Sequence, residues 1–166
     1  MRSRPSGRRS PEPQVPAAAV TSRAELSIPA DTTGLRQASS WLESEAAAQG
    51  VPPEQRLRLD HCLDEALANV LAHGGDGARR SPIQLQFHVC RYPGTAAAEL
   101  TLIDSGVAFD PRTAPARGRP LPGSLSEARP GGLGLVMMRS FSDQLDYRLS
   151  EGRNHLTFTV RWSEAT

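Results

Sequence analysis

A carboxylate, an amide and an imidazole recur at four-residue intervals in the stretch LDEALANVLAHG. If this stretch is a helix, Glu65, Asn69 and His73 form one polar stripe beside its apolar face. A carboxylate and an amide one turn apart can bind Mg²⁺ or polarise a nucleophile. The alternative is a solvated helix edge, on which His73 is a hydrogen-bonding group near the negative end of the helix dipole.

A second acidic residue, Asp104, ends the apolar part of the stretch LTLIDSGVAFD. It is in phase with Leu100 and Leu102, so on a strand its carboxylate points to the side of the sheet that the helices cover. A carboxylate that faces a core needs a partner, because burying it unpaired is costly. The amino group of an adenine ring is a suitable donor, and Ser105-Gly106 would leave room beside it. The alternative is a turn in which Asp104 hydrogen-bonds to the backbone that follows it.

The stretch RPGGLGLVMMRS places three glycines, Gly131, Gly132 and Gly134, directly before a segment with helical spacing. It lacks the Lys-Ser/Thr pair of a Walker loop, and it lacks the third glycine and the parallel βαβ unit of a dinucleotide site. Backbone amides at the start of a helix nevertheless favour an anion in any fold. Taken alone, the stretch is equally compatible with a hinge or a plain turn.

Hydrophobic spacing predicts the helices that carry these residues. The first helix ends at Gly50 and Pro52 and has four apolar residues at helical intervals, namely Leu35, Ala38, Leu42 and Ala46. The second begins near Pro53, a favoured first-turn position, and stops at Gly74-Gly75. The third follows the glycines and ends near Phe141.

Alternating apolar residues predict the strands on which those helices pack. We expect them at Ala24 to Ile28, Ile83 to Val89, Ala98 to Leu102, Gln144 to Leu149 and Leu156 to Trp162. Strands that are adjacent in sequence and joined by short turns pair antiparallel and leave the helices on one face. The predicted fold class is therefore α+β, a two-layer α/β sandwich with a mainly antiparallel mixed sheet covered on one face by about three helices.

Composition limits the remaining possibilities. The 166 residues, 38 % of them apolar, suffice for one domain, which we expect at 23–163 after a disordered Arg- and Pro-rich tail at 1–22. The net charge of +1 selects neither nucleic acid nor an anionic membrane. No apolar run approaches the ~20 residues that span a bilayer, and the apolar patch before residue 21 is too short for a secretory leader. Cys62 and Cys90 are expected to be buried thiols, and a cytoplasmic protein is the default.

Taken in order, the three stretches resemble the nucleotide site of the GHKL superfamily, and above all its small anti-sigma-factor serine/threonine-protein kinase branch. That family has an E-x-x-x-N box on a helix, which corresponds to Glu65-Ala-Leu-Ala-Asn69. Its D-x-G box corresponds to Asp104-Ser-Gly106, followed in this branch by Phe109-Asp110-Pro111, and its G-x-G box to Gly132-Leu-Gly134-Leu. The resemblance covers about residues 24 to 162 and implies the Bergerat-type ATP-binding fold.

The resemblance also implies ATP and Mg²⁺ as cofactors and gives the residues roles. Asn69 would coordinate Mg²⁺, and Glu65 would act as general base towards a substrate serine. Asp104 would accept from the adenine amino group, and Gly106 would leave space for the base. Residues 110–130 would form the ATP lid, in which no motif singles out one arginine. The residues assigned to the nucleotide are completed by His73, Phe109, Arg129, Gly131, Gly132, Leu133, Gly134, Leu135 and Thr157.

The function implied by the resemblance is a protein serine/threonine kinase that acts as an anti-sigma factor. It would phosphorylate a serine of a STAS-type anti-anti-sigma protein and sequester a sigma factor or another regulator, without contacting nucleic acid or membrane, and a homodimer would be typical of the family. The alternative is a nucleotide-binding module that sequesters a partner without phosphoryl transfer, and the presence of Glu65 favours transfer. A small ATPase is a third hypothesis. A sensor histidine kinase is not expected, because only a Pro-rich segment precedes the domain.

Overall fold

The computed structural model describes residues 19–20, 23–114 and 132–164. These ranges contain six strands and four helices. In chain order they are β1 (Ala19–Val20), β2 (Ala24–Ile28), α1 (Thr32–Ala48), α2 (Pro53–His73), α3 (Gly75–Arg80), β3 (Ile83–Tyr92), β4 (Thr95–Asp104), α4 (Gly132–Phe141), β5 (Gln144–Ser150) and β6 (Arg153–Ser163). No helix within these ranges has the length and apolar character required to cross a membrane.

The strands form one sheet with the order β1-β3-β4-β6-β5, and β2 also pairs with β3. Every pairing in the described ranges is antiparallel, with none of the parallel pairs of a mixed sheet. β1 and β2 follow one another along the same edge of β3. Because Ala19–Val20 pair with Arg91 and Cys90, the predicted disorder of 1–22 does not hold for these two residues.

The helices cover one face of the sheet, which confirms the predicted α+β sandwich. Side chains that alternate along β3, β4 and β6 meet in cross-strand rows such as Phe87, Leu100 and Phe158, all fully buried. The helices add apolar stripes at helical spacing to this layer. The buried residues that they contribute include Ala38, Leu42 and Ala46 from α1, Leu59, Leu63 and Leu67 from α2, and Leu135 and Met138 from α4.

The ends of the helices have local causes. Asp31 caps α1 by accepting a hydrogen bond from the Gly34 amide at 2.9 Å. Pro53 opens α2, where its missing N–H costs no intrahelical bond. The short helix α3 was not predicted, because its six residues, GDGARR, contain one apolar side chain and two glycines and so carry no helical periodicity.

Candidate functional site

Helices α2 and α4 pack antiparallel, and this brings two of the predicted motifs together. The Cys62 thiol lies 3.9 Å from the Met138 carbonyl oxygen. About one turn further along α2, the Glu65 carboxylate lies against the backbone of Gly134, so closely that a Cβ at position 134 would be 3.1 Å from Glu65 Cδ. The C-terminal end of α2 therefore lies beside the N-terminal end of α4. Asn69, one turn beyond Glu65, is level with the first residues of α4.

The side chains of Glu65 and Asn69 are half-buried and available for a ligand. Neither makes a side-chain hydrogen bond or ion pair with another residue in the ranges 19–20, 23–114 and 132–164. A carboxylate and an amide oxygen beside the amides of a helix start can hold a divalent cation and an anion together. His73 is exposed at the last position of α2, and its role as a nucleotide contact stays a prediction.

Asp104 ends β4 on the helix-covered side of the sheet, as predicted, and is only 5 % exposed. Its Oδ1 accepts hydrogen bonds from the Gly106 amide at 2.7 Å and from Asn154 Nδ2 at 3.0 Å. Its Oδ2 accepts none from the described part of the chain. One oxygen is thus held in place, whereas the other remains free to accept from a bound group such as an adenine amino group.

Asn154, which the sequence analysis did not identify, is the central residue of this acidic site. It is the cross-strand partner of Asp104 and is 5 % exposed. Its Nδ2 also approaches the carbonyl oxygens of Gly106 and Val107, both at 3.2 Å, and its Oδ1 accepts from the Tyr147 hydroxyl at 2.7 Å. The available signal was its phase along the last strand, since Asn154 lies two residues before Leu156 and four before Phe158 and therefore faces the helices as they do.

Gly106 has a packing role that the sequence did not predict. A Cβ at this position would lie 2.8 Å from the Gly74 Cα and 2.9 Å from the Gly74 carbonyl oxygen. The same carbonyl accepts a hydrogen bond from the Val107 amide at 3.0 Å. The missing side chain therefore makes room for the end of α2, and the space for a base at Gly106 stays a prediction. This close approach joins the α2 stripe to the end of β4, so that the two predicted motifs share one end of the sandwich.

Two residues assigned by resemblance do not present their side chains to this site. Thr157 is on the opposite face of the sheet, where its hydroxyl is 2.8 Å from the Thr101 hydroxyl, because it alternates with residues that face the helices. The structure thus corrects its assignment to the nucleotide. Leu135 is 5 % exposed and packs in the core, so its side chain anchors the first turns of α4 to the core.

Along the chain, the remaining residues assigned to the nucleotide follow the Asp104 turn or stand near the start of α4. Phe109 follows the Asp104 turn with a half-exposed side chain. Gly132, the first residue of α4, and Leu133 take part in the helix backbone. Arg129 and Gly131 lie outside the described residues, as does the predicted lid from residue 115 onwards.

The first residues of the predicted lid, 110–114, are tied to α4. Arg139 donates from its guanidinium to the Pro111 carbonyl at 2.6 Å and 3.0 Å and to the Ala114 carbonyl at 2.6 Å. The Asp110 carboxylate accepts from the Arg112 side chain and amide, which lowers the pKa of Asp110. Asp110 therefore shapes the turn that begins the lid, and Arg139 couples that turn to the helix that follows the glycines.

A family model described as the histidine kinase-like ATPase domain matches residues 28–160. Over 139 residues, covering 84 % of this chain and 92 % of the relative, the sequence is 37 % identical to the serine/threonine-protein kinase BtrW of Bordetella bronchiseptica. The crystal structure of the RsbU and RsbW domains of a Mycobacterium tuberculosis protein is similar over 87 % of this chain, with a TM-score of 0.59 and 18 % identity. The chain spans 34 % of that longer chain, and at this identity the likeness concerns the fold.

Proposed function

Because the chain belongs to the family of histidine kinase-like ATPase domains, we propose that it is an ATP-dependent serine/threonine-protein kinase that acts as an anti-sigma factor. Its substrate would be a serine of a STAS-type anti-anti-sigma protein, and it would sequester a sigma factor or another regulator in the cytoplasm. The observation that carries the proposal is the contact between the Glu65 carboxylate and Gly134 near the start of α4. The 37 % identity to a protein named as a serine/threonine kinase supports it.

The described residues suit ATP and Mg²⁺. When bound, Mg²⁺–ATP supplies the phosphoryl group and a metal that neutralises the phosphate charge. The side-chain oxygen of Asn69 would hold the metal, and the backbone amides at Gly132 and Gly134 would hold phosphate oxygens. Oδ2 of Asp104 would accept from the adenine amino group, while Asn154 keeps the carboxylate in position. Phosphoryl transfer depends mainly on such positioning and charge neutralisation.

Glu65 would act as the general base. The position also makes chemical sense without transfer, because a carboxylate near a helix N-terminus stabilises the helix dipole. That geometry favours a second candidate, a module that binds nucleotide and sequesters a partner without phosphorylating it.

Calorimetry and a transfer assay separate these possibilities. Mg²⁺–ATP binding is measured on the native chain and on Asn69→Ala, Glu65→Gln and Glu54→Gln, the last being an exposed carboxylate in the first turn of the same helix. Transfer of labelled phosphate is then measured onto a STAS-type protein and onto its variant without the acceptor serine. We expect Asn69→Ala to abolish binding, and Glu65→Gln to retain binding but slow transfer by about 10²–10⁴-fold. Glu54→Gln should behave like the native chain.

Three outcomes would contradict the proposal. If the native chain does not bind Mg²⁺–ATP, the site is not a nucleotide site. If Glu65→Gln transfers phosphate at the native rate, Glu65 is not the base. If the native chain binds ATP and the STAS-type protein but transfers nothing, the non-catalytic module is correct.

A further inference from the structure

Three metal-ligating side chains meet on the sheet face that the helices do not cover. His88 on β3 is the direct cross-strand partner of Glu99 on β4. Cys90 lies two residues beyond His88 and therefore points to the same face. The two strands are joined by a tight turn in which Tyr92 pairs with Thr95, so the three residues stand on a continuous ladder. A hairpin of this kind fixes the positions of its side chains more firmly than a loop does.

The distances between these side chains approach those of a metal site. His88 Nε2 is 3.4 Å from Glu99 Oε2, and the ligating atoms of all three residues lie within 4.8 Å of one another. Ligands at tetrahedral zinc distances are about 3.3–3.6 Å apart, as follows from metal–ligand bonds of about 2.0–2.3 Å. The imidazole and the carboxylate already have this spacing, and because the thiol lies within 4.8 Å of both, a movement of at most about 1 Å would bring it to the same spacing.

The donor set and its burial favour one class of ion. A nitrogen, a sulfur and an oxygen donor together suit a borderline-soft cation such as Zn²⁺, whereas Mg²⁺ and Ca²⁺ prefer oxygen alone. Cys90 is 7 % exposed, whereas the side chains of His88 and Glu99 are 19 % and 38 % exposed. The thiol is therefore sheltered, and an ion can still reach the site from the side of the imidazole and the carboxylate.

We propose that His88, Cys90 and Glu99 form a Zn²⁺-binding site with water as the fourth ligand. On binding, the S–H bond of Cys90 breaks as the S–Zn bond forms, the proton passes to solvent, and no electron is transferred. The site is separate from the proposed nucleotide site, because it lies on the other face of the sheet and towards the opposite end of β4 from Asp104.

The ion would link β3 to β4 beside the N-terminal strand. Val20 of β1 pairs with Cys90, so the site lies at the edge where this two-residue strand joins the sheet. A ligand that binds the folded state alone raises stability in proportion to the logarithm of its concentration. Zn²⁺ should therefore raise the thermal midpoint of the native chain, and this shift should disappear in Cys90→Ala.

The first test is titration of the reduced, tag-free chain with Co²⁺, which substitutes for Zn²⁺ and gives a charge-transfer absorption only with a thiolate ligand. The native chain should develop this absorption and lose it when Zn²⁺ is added. Cys90→Ala should not develop it. Cys62→Ala is the matched control: burial raises the pKa of the Cys62 thiol to about 12 and it lies in the core, so its loss should leave the absorption intact.

Zn²⁺ calorimetry on His88→Ala and Glu99→Gln tests the other two ligands, with at least about tenfold weaker binding expected for each. Circular dichroism establishes first that each variant is folded. The proposal is overturned if the native chain shows no charge-transfer absorption, if Cys90→Ala retains it, or if Glu99→Gln binds Zn²⁺ as tightly as the native chain. In that last case the His88–Glu99 contact is an ordinary cross-strand polar contact. None of these outcomes depends on ATP binding.

Discussion

The Glu65 carboxylate and the Gly134 backbone touch across the interface of α2 and α4, although the two residues are far apart in sequence. The contact exists because α4 runs antiparallel to α2 and because residue 134 has no side chain. It brings a carboxylate to the start of a helix, which is where an anion would bind. One substitution at this contact can therefore distinguish an effect on the stability of the fold from an effect on the proposed phosphoryl transfer.

Gly134→Ala should impair phosphoryl transfer without unfolding the protein. The new Cβ would meet the Glu65 carboxylate, the far end of a flexible side chain, which can turn away at little cost in stability. Alanine also favours a helix by up to ~1 kcal/mol over glycine. We expect a thermal midpoint equal to or above that of the native chain, together with a reduced transfer rate.

Glu65→Ala provides the control for this prediction. Once the carboxylate is absent, adding the Gly134→Ala substitution should cause no further loss of transfer, so the two effects should be strongly non-additive in a double-mutant cycle. Additive losses would show that Gly134 acts on transfer by a route other than its contact with Glu65.

Gly106→Ala should destabilise the fold, in contrast to Gly134→Ala. Its Cβ would lie 2.8 Å from the Gly74 Cα and 2.9 Å from the Gly74 carbonyl oxygen, and backbone atoms cannot move aside as a side chain can. Overpacking of this kind costs about 1–3 kcal/mol in the free energy of unfolding. Urea unfolding measures the loss, and Val107→Ala, at the exposed neighbouring position, should cost much less. Equal losses for the two variants would contradict the close approach.

The sequence was sufficient to predict the elements and the motifs that are periodic. The stripe from Glu65 to His73 lies on a helix, and Asp104 faces the helices, because spacing along one element decides which side a residue takes. The same alternation places Thr157 on the uncovered face of the sheet. Its assignment to the nucleotide rested on the resemblance, although the alternation along the strand placed Thr157 on the face away from the helices.

Contacts between distant elements could not be predicted in the same way. The pairing of Asn154 with Asp104 depends on the register between β4 and β6, which no local pattern specifies. The approach of Gly74 to Gly106 depends on where α2 ends relative to the sheet. Glycine at position 106 is compatible with a bound base and with a packed backbone, and only the tertiary structure reveals the backbone contact.

Asn154→Ala should weaken both the fold and the proposed nucleotide binding. It would remove one of the two donors to Asp104 Oδ1 and leave the Gly106 and Val107 carbonyls without this partner. Buried groups that lose a partner cost about 1–3 kcal/mol. Tyr147→Phe removes only the hydroxyl that donates to Asn154, so we expect a smaller loss of about 0.5–1.5 kcal/mol. Chemical unfolding and ATP calorimetry should rank the two variants in this order, and the reverse order would contradict the central position of Asn154.

The stability of the junction between α2 and β5 should depend on pH through Asp143. Burial alone would raise the pKa of Asp143, but hydrogen bonds from Arg58 Nη2 at 2.8 Å and from the Arg161 amide at 2.6 Å outweigh it and lower the pKa. A carboxyl whose pKa is lowered on folding stabilises the protein above its unfolded pKa of about 3.9, and this contribution is lost as the pH falls through the folded-state value.

Asp143→Asn should therefore lower the free energy of unfolding near neutral pH and have a diminishing effect in acid. The Asp143 side chain is 35 % exposed, so solvent screens the pair and we expect a loss of only about 1 kcal/mol at pH 7. Urea unfolding of both proteins at about pH 7, 5 and 3 should show the difference shrinking below about pH 4. Asp76→Asn, which removes an exposed ion pair with Arg80, should change stability little at any of these values. A difference for Asp143→Asn that stays constant down to the lowest pH would mean that its charge does not stabilise this junction.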